Sequence, residues 1–156
     1  MIVEKGTYLV LQKPQEGLES EKLGACVALG AVDDKAQVIG LWVFVLPASR
    51  LISKKEQAPN ELFAEEGLDE FLAALEKEGA HRKRLKLVAA GGARFLKAPT
   101  IFDLGGINAS MLLKLLKERG ITLLAQRLGK PFPAQIHIEP SGKISVKIAG
   151  KEEESW

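Results

Sequence analysis

Two apolar runs of strand length stand almost back to back in this chain. The first, residues 25–32, is closed by the turn Asp33-Asp34-Lys35, and the second, residues 37–46, starts at once. So short a connection lets the two runs pair only as an antiparallel hairpin. The second run, Val38-Ile39-Gly40-Leu41-Trp42-Val43-Phe44-Val45-Leu46, is apolar at odd and even positions alike. Successive side chains on a strand point to opposite faces, so such a strand needs cover on both sides. The hairpin is therefore expected at the centre of a sheet, with a layer of structure against each face.

The rest of the pattern alternates strands with two helices. Residues 7–12 read as a first strand, and the polar segment 13–22, with Pro14 and Gly17, as a loop. Residues 47–59 read as a loop carrying Ser49, Ser53 and a small charge cluster. Asn60 is placed to cap a helix over residues 61–78, where Leu62, Leu68, Phe71, Leu72 and Leu75 form a stripe at helical spacing. Gly67 weakens its middle and Gly79 ends it. The basic run His81-Arg82-Lys83-Arg84 leads into a third buried strand, 85–90, which Gly91-Gly92 breaks. After a loop with Pro99, Gly105 and Gly106, Asn108 is placed to cap a second helix. Met111, Leu112, Leu115 and Leu116 are its apolar face and Gly120 its stop. A strand at 121–126 and a hairpin of 136–139 with 144–148 complete a domain of residues 1–150, and 151–156 read as a disordered, frayed tail. This order predicts an α+β fold, with mixed and antiparallel sheet layers and two main helices packed on one side.

Composition narrows the function classes. The chain has 156 residues and a net charge of only +2, a balance that does not call for nucleic acid as a partner. Residues 38–47, the longest apolar stretch, are too few to insert across a membrane. Met1-Ile2-Val3-Glu4-Lys5-Gly6 lacks the basic start and apolar core of a secretory leader, so a cytoplasmic location is expected. One cysteine excludes an internal disulfide, and with His81 and His137 it makes no metal-ligand spacing. Neither a phosphate-cradling GxxxxGK[ST] nor a GxGxxG occurs. No metal and no cofactor are expected.

Cys26 is the residue with the sharpest two-sided reading. It lies in Leu23-Gly24-Ala25-Cys26-Val27-Ala28-Leu29, a glycine turn running into an apolar strand. A lone cysteine there is an ordinary small core hydrophobe, or a thiol held at the lip of a cleft. Gly91-Gly92 can offer backbone N–H groups to an oxyanion, or can simply end a strand. The basic run from His81 can meet an acidic partner, or form a solvated edge.

Several strings, in order and with consistent spacing over about residues 7–150, resemble the CheD family. They are the segment around Cys26, Leu46-Pro47, Ala89-Ala90-Gly91-Gly92-Ala93, Leu104-Gly105-Gly106-Ile107-Asn108 and Gly120-Ile121-Thr122-Leu123-Leu124-Ala125. The resemblance implies hydrolysis of a glutamine side-chain amide on the cytoplasmic helices of chemoreceptors, by a cysteine nucleophile, a histidine base and a threonine that orients the histidine. Carried over by position, the nucleophile falls on Cys26, the threonine on Ser20 and the histidine on Val43, four residues before Pro47. Other departures are Ile107 where an arginine is usual, Gly129-Lys130 in place of a glycine pair, and Pro133-Ala134 where a glycine-arginine is usual.

Valine neither accepts nor donates a proton. A free thiol is only a few per cent thiolate at neutral pH, and an amide nitrogen must be protonated to depart. Three readings stay open. The chain is a catalytically impaired CheD-like protein that binds a chemoreceptor or, as the family implies, a CheC-type phosphatase. It is an active cysteine-dependent deamidase with a relocated base, His137 being the candidate and His81 a remoter one. Or it is an interaction module unrelated to chemotaxis.

Overall fold

The computed structural model describes residues 1–52, 58–94 and 103–156; Ser53, the charge cluster after it and Pro99 lie outside the described residues. The strands, in chain order, are β1 (Ile2–Val3), β2 (Thr7–Gln12), β3 (Leu18–Ser20), β4 (Val27–Asp33), β5 (Val38–Phe44), β6 (Lys86–Gly91), β7 (Ala125–Leu128), β8 (Ala134–Ile138), β9 (Ile144–Ile148) and β10 (Glu154–Ser155). The helices are α1 (Ala64–Lys77) and α2 (Leu104–Glu118). Two five-stranded mixed sheets result, ordered β2-β5-β4-β6-β7 and β1-β3-β8-β9-β10.

The predicted hairpin is present, with Val27 opposite Phe44 and Asp33 opposite Val38, and it lies inside the first sheet. Every residue of β4 and β5 is buried. From β5, Val38, Trp42 and Phe44 join the layer shared with both helices, while Ile39, Leu41 and Val43 join the layer shared with the second sheet. The fold is thus α+β in three layers: helices, central sheet, second sheet. Crossing back through α2 makes β7 parallel to β6, and that is where the central sheet becomes mixed.

Several strand ends shift by one or two residues, and the larger differences from the sequence reading are these. The segment expected to be a loop at 13–22 contains β3, which pairs antiparallel with β8 and parallel with β1. A strand of three residues shows too little alternation to stand out from its polar surroundings. The strand expected at 121–126 is β7, shifted to Ala125–Leu128, since the chain must first clear the end of α2. Asn60 opens a 3₁₀ turn, not the helix, and α1 starts at Ala64 after Phe63. Asn108 does not cap α2; Asp103 does, its carboxylate accepting from Gly106 N–H at 3.0 Å. Finally, the segment expected to fray carries β10, paired antiparallel with β9, and Trp156 exchanges backbone hydrogen bonds with Ile144 at 2.7 and 2.9 Å. Arg127 secures it through a forked pair with Glu154 and a guanidinium lying 5.0 Å from the Trp156 ring centroid.

Gly67 has a reason beyond propensity. A Cβ there would lie 2.6 Å from Trp42 Cζ2 and 3.0 Å from both Asn60 O and Glu61 Cα. The helix therefore rests on the Trp42 ring, whose indole N–H donates to Glu61 O at 2.7 Å. Gly40 on β5 makes the matching gap, a Cβ there falling 2.7 Å from Leu75 Cδ2.

Asp33, read as a turn residue, is fully buried at the end of β4. It accepts from Ala36 N–H, His81 N–H and the Arg84 guanidinium. Burial alone would raise its pKa, but these donors together hold it below the ordinary carboxylate value. A carboxylate depressed in the folded state contributes stability in full above its unfolded value of about 3.9, and loses it as pH falls through the folded value.

Two outcomes are expected. Gly67→Ala destabilises the protein in urea titration by about 1–3 kcal/mol through overpacking, although alanine favours helix by about 1 kcal/mol. Asp33→Asn flattens the fall in stability below about pH 4, measured as urea midpoint against pH.

Candidate functional site

The site is assembled where β4 begins. Cys26 is 8% exposed and packs in the layer between the sheets, with Leu23, Ala28, Val43 and Ala90. Ala28 stands directly opposite Val43. Continuing that register one pair beyond Val27–Phe44 sets Cys26 against Val45 and diagonal to Val43, on the same face of the sheet. Diagonal neighbours are within reach of a long side chain. Ser20 comes to the same layer from the other side: it is buried on β3, on the face that carries Leu18, and β3 lies across β5. The three positions named from the sequence thus converge on one layer.

Each of the three is held in a different way. The Ser20 hydroxyl donates to Glu21 O at 2.7 Å and accepts from Ile136 N–H at 3.1 Å, so it ties β3 to β8. Val43 is fully buried and presents only methyl groups. Burial pushes the Cys26 thiol above its ordinary pKa and Glu21 adds to this, while Lys5 and the Cys26 N–H act the other way.

Neither histidine comes to the thiol. His137 alternates with Ile136 and Ile138, which face the central sheet, so it lies on the outer face of the second sheet. It lines a shallow cavity there with Glu19, Gln135, Ser145, Lys147 and Glu153. His81 sits beside Asp33, where its backbone N–H donates to the carboxylate and its Nδ1 accepts from Lys83 N–H. Asp33 ends β4 and Cys26 directly precedes its first residue, so the two are roughly 24 Å apart at about 3.4 Å per residue.

The backbone around Cys26 is held by donors from two other elements. Ala93 N–H donates to Gly24 O and Gly92 N–H donates to Cys26 O, both at 2.8 Å. The N–H of Gly92 therefore serves the turn at Cys26, which is the structural reading of the Gly91-Gly92 pair. Gly91 has φ +100°, and a Cβ on it would fall 2.3 Å from Cys26 O, so only glycine lets the two backbones approach. From α2, the Asn108 carboxamide donates to Ala25 O at 3.0 Å and Val45 O at 2.8 Å. Among the described residues Asn108 Oδ1 is buried without a partner, an arrangement that costs about 1–3 kcal/mol. Reading Asn108 as a cap concealed this role; Asp103 ahead of Leu104-Gly105-Gly106 was the usable signal for where the helix starts. Among the described residues no cluster of His, Cys, Asp and Glu has a metal-binding arrangement, and no helix is long and apolar enough to cross a membrane.

Known proteins place this architecture. A family model described as "CheD chemotactic sensory transduction" matches residues 45–148. "Chemoreceptor glutamine deamidase CheD" of Halalkalibacterium halodurans is 32% identical over 138 residues, covering 86% of this chain and 85% of that protein. "Probable chemoreceptor glutamine deamidase CheD" of Solibacter usitatus is 30% identical over 142 residues, 90% of this chain and 84% of that protein. The protein of that name from Caldanaerobacter subterraneus is 33% identical over 133 residues, 82% and 80% respectively. The chain belongs to the CheD family. The matched stretch includes Asn108 and begins beyond Ser20, Cys26 and Val43.

A thiol raised by burial is expected to alkylate slowly at neutral pH. Its rate should climb with pH past the point where an unhindered cysteine levels off, because the reactive thiolate forms later. Iodoacetamide modification of the native protein, followed by mass against pH, checks this; a plateau near the ordinary cysteine value would contradict it.

Proposed function

We propose that this chain is a chemotaxis protein that engages chemoreceptor cytoplasmic helices through the CheD fold, with glutamine deamidation depressed by the valine at position 43. The observation that carries the reading is the pairing inside the inter-sheet layer. Cys26 is the residue to which the family resemblance gives the nucleophile, and the residue diagonal to it on the same face is Val43. The relatives carry the names chemoreceptor glutamine deamidase and probable chemoreceptor glutamine deamidase, which supports a chemoreceptor as the partner. A CheC-type phosphatase is a second partner that the family suggests.

The chemistry explains why the side chain at 43 matters. Attack by sulfur on the amide carbon needs the thiol proton removed, and expulsion of ammonia needs a proton delivered to nitrogen. A histidine at 43 would do both. Burial without an acceptor leaves the sulfur protonated, and the amide nitrogen is then without a donor. His137, on the outer face of the second sheet, does not support the relocated-base alternative.

The test is mass spectrometry of a chemoreceptor cytoplasmic fragment incubated with wild-type protein, Cys26→Ala and Val43→His. Wild type is expected to match Cys26→Ala. Val43→His is expected to raise glutamine-to-glutamate conversion by roughly 10²–10⁴, the usual worth of general acid–base help, and to do so only with Cys26 present. Conversion by wild type that depends on Cys26 would refute the impairment. Absence of fragment binding by every variant would refute the receptor role.

A further inference from the structure

Beyond Val27 and Phe44 the β4–β5 ladder ends. The two strands must still be held at a set separation there, because Cys26 stands just outside the ladder on one strand and Val43 just inside it on the other. Backbone pairing no longer does this. The bridge is the side chain of Asn108, whose amide nitrogen spends one hydrogen on Ala25 O and the other on Val45 O. Those carbonyls belong to the residue before Cys26 and the residue opposite it in the extended register.

The orientation of the amide follows from its partners. Two carbonyl oxygens accept and cannot donate, so the nitrogen must face them and Oδ1 must turn away. Oδ1 is then buried with no partner among the described residues. An apolar side chain would remove the orphaned Oδ1 but would take the donor away from the carbonyls of Ala25 and Val45. Asparagine thus holds two carbonyls at the cost of one unpartnered acceptor. With Gly92 N–H on Cys26 O and Ala93 N–H on Gly24 O, the consecutive carbonyls of residues 24, 25 and 26 are each fixed by a donor from outside β4.

We propose that Asn108 is the positioning residue of the thiol site, setting the pose of the Ala25–Cys26 peptide and the gap between Cys26 and the side chain at position 43. The proposal rests on the CheD-type reading of Cys26 and position 43. Asn108 touches neither the sulfur nor a substrate in this role; it acts through two backbone carbonyls. The N-terminal turn of α2 is thereby coupled to the thiol, so whatever shifts that turn shifts the sulfur.

The experiment compares Cys26 alkylation against pH in the unmodified chain, Asn108→Leu, Val43→His and the double variant, with a urea unfolding curve for each. Val43→His alone is expected to move the alkylation profile to lower pH, as the imidazole takes the thiol proton. Asn108→Leu is expected to abolish that displacement while unfolding stays cooperative. A double variant that keeps the full displacement would overturn the proposal. If Val43→His displaces nothing even with Asn108 in place, the reading of position 43 fails on its own. The role of Asn108 is then judged in the Val43 chain, where Asn108→Leu should change the Cys26 rate roughly tenfold, as small misplacements do; an unchanged rate overturns it. Should Asn108→Leu not fold, exchange of the Asn108 carboxamide hydrogens in the unmodified chain decides. Protection of both supports the bridge, and exchange at the rate of a solvated amide removes it.

Discussion

Everything in this structure leans on the burial of β5 from both sides. Its helix-facing residues seat α1 through Trp42, which packs against Phe44 and Phe71 with ring centroids 4.9 and 5.8 Å away. Its other face, Ile39, Leu41 and Val43, is the floor on which the second sheet lies. A strand with no solvent face has its register set by the fit of two cores at once, since a slip of one residue would exchange the two sets of side chains. The gaps at Gly40 and Gly67 belong to the same constraint. They let a helix approach where a side chain already fills the space.

The candidate site is a by-product of that layering. Cys26 lies at the end of the inter-sheet core, where β4 leaves the ladder and the chain turns through Gly24. Position 43 is inside the core. A polar side chain there would need a buried partner, and a valine needs none. A valine at 43 therefore suits packing, and it carries no group that could share a proton with sulfur. The direction of the Cys26 pKa expresses the same balance: an apolar layer stabilises the neutral thiol, and Lys5 is too weak a counterweight to reverse it.

Ser20, Cys26 and position 43 were named through the family resemblance, and the fold brings the three to one layer. The sites of the histidines were only half legible. Alternation correctly set His137 opposite Ile136 and Ile138, but whether that face met the thiol depended on which side of β8 the central sheet would cover. Asn108 was misread, because an asparagine near a helix start is a common cap. Its actual partners, Ala25 and Val45, are 83 and 63 residues away in sequence. The terminal strand was missed for a related reason. A charged run such as Lys151-Glu152-Glu153-Glu154 looks solvated until Arg127 and the open edge of β9 are beside it.

By itself the sequence determined the elements with strong local pattern. These are the central hairpin, the apolar stripes of both helices, the glycines that end them, and the family to which the ordered motifs belong. The elements rest on periodicity and turn chemistry, which act between near neighbours, and the family on the resemblance of the ordered motifs. Only the tertiary structure decided which faces meet. It set His137 outside, used up the Ser20 hydroxyl and the Gly92 N–H on backbone partners, and brought an asparagine from α2 to the mouth of β4 and β5. Hydrogen-bond partners and desolvation depend on what is brought close from far along the chain, and no local pattern carries that.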